Sequence, residues 1–176
     1  FILTGSLSLK TILERQSETI SLGPIDIPNW FILSQPLAFI LFLIAAVAET
    51  NRAPFDLPEA ETELVAGFHT EYSGFRFSLY FLGEYINMIV VSLFAATLFL
   101  GGPNGPGSEK YWGLGLLWLF IKVLLFMFFY VWLRATIPRF RFDQLMGIAW
   151  KVLFPLAIAN ILITAFIRLI SIGEIF

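Results

Sequence analysis

The chain has 176 residues, 58% of them hydrophobic and only 14% charged, with a net charge of −2 and a mean hydropathy of +0.82. A soluble domain carries about 25% charged residues, so the composition excludes an ordinary water-soluble fold, and no basic excess invites nucleic acid. With no cysteine and one histidine, His69, the chain can hold no disulfide, thiolate metal site, iron–sulfur cluster or cysteine nucleophile of its own, and a lone His69 is a poor metal ligand.

The apolar opening, Phe1 to Leu9, reads as the tail of a helix begun upstream, and no charged n-region or cleavage site precedes it. In Lys10 to Ser21, Ile12, Leu13, Gln16 and Ile20 fall near one face, which predicts a short interfacial helix within residues 1–29. A bilayer core takes roughly 20 apolar residues as helix, and four stretches qualify: residues 30–48, without a charge; 77–100, interrupted by Glu84; 111–133, interrupted by Lys122; and 148–167, with Lys151 near its start. Lipid admits only helices or closed barrels, and these runs lack the alternation of barrel strands. The expected fold is therefore a single all-α integral membrane domain, a bundle of four transmembrane helices. Residues 49–76 form a long acidic loop carrying a short amphipathic helix, and Gly101 to Gly107 is a run of chain breakers that makes a turn.

Four crossings place the first and third connections on one face with Arg52, Arg76, Arg134, Arg139, Arg141 and Lys151, leaving Lys10, Arg15, Lys110 and Arg168 on the other. The denser basic connection marks the cytoplasmic or matrix side, and Trp30, Trp112, Trp132 and Trp150 sit at span ends as an aromatic belt. Cysteines introduced at Ser73 and Ser108 should therefore label from opposite sides of a sealed vesicle; labelling of both from one side would sink the four-span arrangement.

Seven of the 13 acids lie between Glu49 and Glu84: Glu49, Asp56, Glu59, Glu61, Glu63, Glu71 and Glu84. Only Arg52 and Arg76 oppose them. Carboxylates so crowded cannot all ionise cheaply and should exchange protons as a coupled set, as a proton relay requires. A structural reading stands beside this one. Asp56 and Glu59 fit a capping box with Pro58 in the first turn, and Leu57, Ala60, Leu64 and Phe68 form an apolar stripe that leaves Glu59 and Glu63 on the wet face. Glu61 falls beside the stripe, where it must meet protein or a polar cavity.

Glu84 lies roughly 10 Å inside its span at 1.5 Å per residue, where a charge costs up to about 2.5–3.5 kcal/mol. Tyr80, Glu84 and Asn87 share a face that should point into the bundle. Glu84 is either a protonated packing group or a proton carrier. Lys122, central in its span, is too deep to snorkel. It needs a carboxylate partner or the loss of its proton, as an ion pair or as a relay.

The stretch Glu49-Thr50-Asn51-Arg52-Ala53-Pro54-Phe55-Asp56-Leu57-Pro58-Glu59-Ala60-Glu61 resembles the signature of NADH:ubiquinone oxidoreductase (complex I) subunit 1, the quinone-channel membrane subunit family. Glu63 to Phe68, Thr70 to Ser73, Gly83-Glu84-Tyr85, Leu98 to Gly102, Arg134 to Met146 and Trp150-Lys151 continue the match. The resemblance covers essentially the whole chain but only the C-terminal half of the family, whose usual member has eight spans. It implies a subunit with no turnover alone, which admits ubiquinone from the bilayer and couples its reduction to proton translocation. It implies Glu49, Asp56, Glu59, Glu61, Glu63 and Glu84 as channel acids, with Arg52, Phe55 and Arg134 shaping the quinone tunnel. Glu71 and Lys122 join the proton-channel set on their placement. NADH, FMN and iron–sulfur clusters belong to partner subunits, as do the quinone headgroup ligands. Other implied partners are neighbouring membrane-arm subunits, the lipid membrane and a polypeptide carrying the N-terminal half, packed against the first two spans.

Three rival readings remain: the homologous membrane subunit of an energy-converting hydrogenase, a self-contained proton or cation transporter, and a structural anchor. No inverted repeat supports the transporter, and intramembrane charge serves an anchor nothing. The family implies the mitochondrial inner membrane or the bacterial plasma membrane; the high phenylalanine content and the half-length chain lean to the former.

Overall fold

The computed structural model describes residues 2–22, 25–56, 74–106, 108 and 111–173. The expected amphipathic helix at Leu57 to Phe68, with Glu59, Glu61 and Glu63, lies outside the described residues, as do His69 and Glu71.

Helix α1 (Leu9–Ser17) is shorter than expected, because the chain leaves it for an antiparallel hairpin, β1 (Thr19–Leu22) with β2 (Ile25–Pro28), paired Thr19 to Pro28 through Leu22 to Ile25. Thr19, Ile20, Ile25 and Ile27 are β-branched and favour a pleated backbone over a helical turn. Among the described residues the hairpin is the exception to an otherwise helical fold. Helix α1 docks on protein, since Ile12 and Gln16 are buried.

The span expected at residues 30–48 is not one helix. It divides into α2 (Phe31–Ser34) and α3 (Pro36–Glu49), with Gln35 between them at φ −136°, ψ 57°. Pro36 has no N–H to continue the ladder, and its ring drives the preceding residue out of the helical region. The Gln35 side chain fills the break: its Nε2 donates to Thr164 Oγ1 (3.0 Å), and its Oε1 accepts from Asn160 Nδ2 (3.2 Å).

Helices α4 (Phe75–Phe99) and α5 (Trp112–Thr136) match their expected spans within a turn. The last is longer than expected. Helix α6 (Phe142–Ile148) runs through a π-helical turn at Ala149–Leu153 into α7 (Phe154–Gly173). Among the described residues, three helical stretches are long and apolar enough to cross a membrane: Phe75–Phe99, Gly113–Thr136 and Phe142–Ile170. Pro36–Glu49 is a shorter apolar helix.

The core runs along the α3–α4–α5 seam in two clusters. Val47, Met88 and Tyr130 pack with Phe55 and Met127 toward one end; Ala95, Ala96 and Phe126 pack with Phe39, Phe42 and Leu43 toward the other. The small residues of α4 let the helices approach closely, as membrane bundles require. Phe128, Val131, Phe154, Leu162, Phe166 and Leu169 stay exposed on the outside, where lipid or another transmembrane helix meets them.

Helix α4 ends at two glycines in the left-handed region, Gly101 (φ 71°) and Gly102 (φ 53°), and the N–H of Gly102 returns to Ala96 O at 2.9 Å. A Cβ on Gly101 would lie 2.9 Å from the Trp30 indole nitrogen, and one on Gly102 would lie 2.8 Å from a Leu13 methyl. Glycine is thus required here both by conformation and by space.

Candidate functional site

The end of α3, the start of α4 and the end of α5 meet at one pole of the bundle. Helix α3 stops where Thr50, almost fully buried, turns its hydroxyl back onto Ala46 O (3.1 Å) and Val47 O (3.2 Å). Asn51 follows at φ 48°, a conformation that asparagine tolerates better than most residues. This reversal sends Arg52 back toward α4.

Arg52 is 8% exposed, and its Nε lies 2.7 Å from Glu84 Oε1. Its guanidinium stands over the Tyr85 ring, 4.9 Å from the centroid. Glu84 is one turn before Met88 on the buried face of α4, so the expectation that it points inward holds. There its carboxyl meets the Arg52 guanidinium. Tyr80, expected to share the inward face, is 42% exposed.

A second pair closes the same pole: Arg139 Nη2 donates to Asp56 Oδ2 at 3.1 Å. Phe140 N donates to Pro54 O (3.1 Å), and the Phe55 and Phe140 rings lie 5.8 Å apart. The first and third connections are thereby bound together, as expected of loops on one membrane face. Between Arg52, α4 and α5 lies a small cavity of about 90 Å³, lined among others by Tyr85, Tyr130 and Arg134. Its volume suits a few water molecules.

The structure therefore brings together Arg52, Phe55, Asp56, Glu84 and Arg134 of the expected residues. Glu49 is the last residue of α3 and is exposed. Lys122 is at the opposite pole, and no carboxylate meets it among the described residues. Its partners are main-chain carbonyls, because the α4–α5 connection folds back over α5. Reasoning from sequence missed Thr50, Tyr130 and Arg139. A signal existed for Tyr130: Lys122, Phe126, Tyr130 and Arg134 recur every four residues on one face of α5. A larger cavity, about 510 Å³, opens at the opposite pole around Phe31, Leu98, Phe99 and the Gln35–Asn160–Thr164 cluster, with no charged residue in its wall among the described residues. Chemically, the first pole sets a buried ion pair beside a water-sized cavity, whereas the second holds a lysine charge on main-chain carbonyls.

A family model described as NADH dehydrogenase matches residues 1–165. The chain is 70% identical to the H subunit of the NADH-quinone oxidoreductase of Thermomicrobium roseum, over 99% of this chain and 50% of that protein. It is 52% identical to the corresponding H subunit of Protochlamydia amoebophila, over 95% of this chain and 47% of that protein. It is likewise 52% identical to an NADH-quinone oxidoreductase H subunit of Geobacter metallireducens, over 96% of this chain and 47% of that protein. The chain thus spans about half the length of the curated relatives it matches. These relatives are bacterial, which turns the expected location from the mitochondrial inner membrane toward a bacterial plasma membrane.

Proposed function

Because the chain belongs to the NADH dehydrogenase family, we propose that it forms part of the membrane subunit of a proton-translocating NADH:quinone oxidoreductase in a bacterial plasma membrane. The observation that carries this reading is the buried Arg52–Glu84 pair beside a water-sized cavity with Tyr130 and Arg134. Two electrons from NADH, carried through flavin and iron–sulfur clusters on partner subunits, reduce the quinone to quinol as it takes up two protons. In this reading Arg52, Phe55 and Arg134 border the path by which quinone reaches its partner subunit. Glu49, Asp56, Glu59, Glu61, Glu63, Glu71 and Glu84 pass the charge change on as proton movement. The small cavity beside Arg52, the partner of Glu84, favours water and protons there over direct contact with quinone.

The segment α2–α3 acts as a fourth, broken crossing. In support, Trp30 touches Gly101 at the end of α4 while Arg52 pairs with Glu84 near its start, so this segment runs along most of α4. A broken helix is tolerated in lipid where side chains satisfy the freed backbone and neighbours cover it, and Gln35 with α7 supplies that cover.

Purification of the native membrane complex through a tag on this subunit tests the function. The expected preparation contains flavin and iron–sulfur subunits, bound quinone, and NADH:quinone activity that builds a membrane potential in liposomes. A nickel–iron partner without quinone would assign the chain to an energy-converting hydrogenase instead.

A further inference from the structure

Lys122 lies near the midpoint of α5, 6% exposed, with its ammonium donating to Leu100 O (2.6 Å), Gly102 O (2.8 Å) and Asn104 O (2.7 Å). An ammonium has three donors, and all three are engaged by main-chain carbonyls. The Trp30 ring covers the charge at 4.7 Å. Leu100 and Gly102 follow the C-terminus of α4, where the helix dipole presents its negative end and favours a cation.

Gln16, 1% exposed, meets the same segment from α1. Its Nε2 donates to Thr97 O (3.0 Å) and Leu98 O (3.2 Å); its Oε1 accepts from the N–H of Gly101 (2.9 Å). Asn104 Nδ2 closes the knot on Leu13 O at 3.1 Å. The seam between Lys122 and Glu84 is lined by apolar side chains, with Ala95, Ala96 and Phe126 buried among aliphatic and aromatic neighbours. The Ser92 hydroxyl within that seam donates to Met88 O (2.7 Å), and among the described residues no continuous polar row joins one pole to the other along it.

We infer that Lys122 and Gln16 are positioning residues that pin the C-terminal end of α4, and that Lys122 keeps its charge as a structural cation instead of passing protons. Helix α4 is continuous from Phe75 to Phe99, so fixing one end fixes the axial height of Glu84, roughly 20 Å away at 1.5 Å per residue. Lys122 thereby acts on the charged pole through α4 and not through proton exchange.

The test uses the purified full-length complex. Lys122→Met should lower the yield of assembled enzyme about tenfold, because it strands three carbonyls. Gln16→Leu should lower it by less, and the double variant should be no worse than Lys122→Met, since both residues hold one segment. Lys122→Arg, which keeps a permanent charge, should recover most of the yield. Protons moved per electron in each assembled variant should equal the wild-type value; this last readout rests on the proposed function, while the assembly readouts do not. Wild-type assembly of both Lys122→Met and Gln16→Leu would overturn the pin. A Lys122→Arg enzyme that assembles but moves fewer protons per electron would overturn the fixed charge.

Discussion

Glu84→Gln is expected to leave the subunit in its complex while lowering coupled NADH:quinone turnover by about a hundredfold, the scale of a lost proton-transferring group. The amide fills the same space and keeps an oxygen facing Arg52, whose Nε lies 2.7 Å from the present carboxylate. The guanidinium also retains the Tyr85 face, 4.9 Å from its carbon, an interaction worth up to about 2 kcal/mol when desolvated. Assembly therefore survives. Glutamine cannot take up and release a proton, so any step that passes through this carboxyl stops. Steady-state turnover and membrane potential in liposomes give the answer. Wild-type values for both would reduce Glu84 to a packing group.

Arg52→Met attacks the pair from its other side and should act on assembly first. It leaves the Glu84 carboxylate, whose side chain is 18% exposed, without its cation. Breaking a buried pair in this way costs about 3–5 kcal/mol, with the lower figure apt here because the carboxyl can bind a proton and become neutral. Assembled complex should fall by more than tenfold, and its thermal inactivation should begin at lower temperature. The double variant Arg52→Met, Glu84→Gln removes both charges and should regain assembly without regaining turnover. If the double variant assembles no better than Arg52→Met, the loss comes from the missing guanidinium packing against Tyr85 rather than from an unpaired charge.

Helices α4 and α5 were legible in the sequence because each is a long apolar run closed by breakers or basic residues. The α2–α3 stretch has the same composition, yet Pro36 divides it, and counting apolar residues gives a proline no weight. The strands after α1 are only four residues each, too short for their alternation to stand out from a helical stripe. Glu84 and Lys122 announced themselves as charges inside apolar spans, but their partners did not. Arg52 reaches Glu84 only because Thr50 and Asn51 reverse the chain, and a cradle of carbonyls has no side-chain signature. The paired glycines at 101 and 102 were its one visible trace, and they read as a turn.

The π-helical turn at Ala149–Leu153 governs how the final helix is phased. Before it, the chain is moored at the charged pole by Arg139 on Asp56 and by Phe140 on Pro54. Beyond it, Asn160 and Thr164 are moored to Gln35 near the other pole. A uniform α-helix between these moorings would turn by about 100° per residue without pause, whereas a π turn absorbs an extra residue in the winding. That spare residue works as a vernier between two fixed docking points. Deleting one position after that turn, in the regular helix before Asn160, would swing the amide-bearing face of α7 by about a quarter-turn away from the gap that Pro36 opens, and the two irregularities of the fold would cease to match.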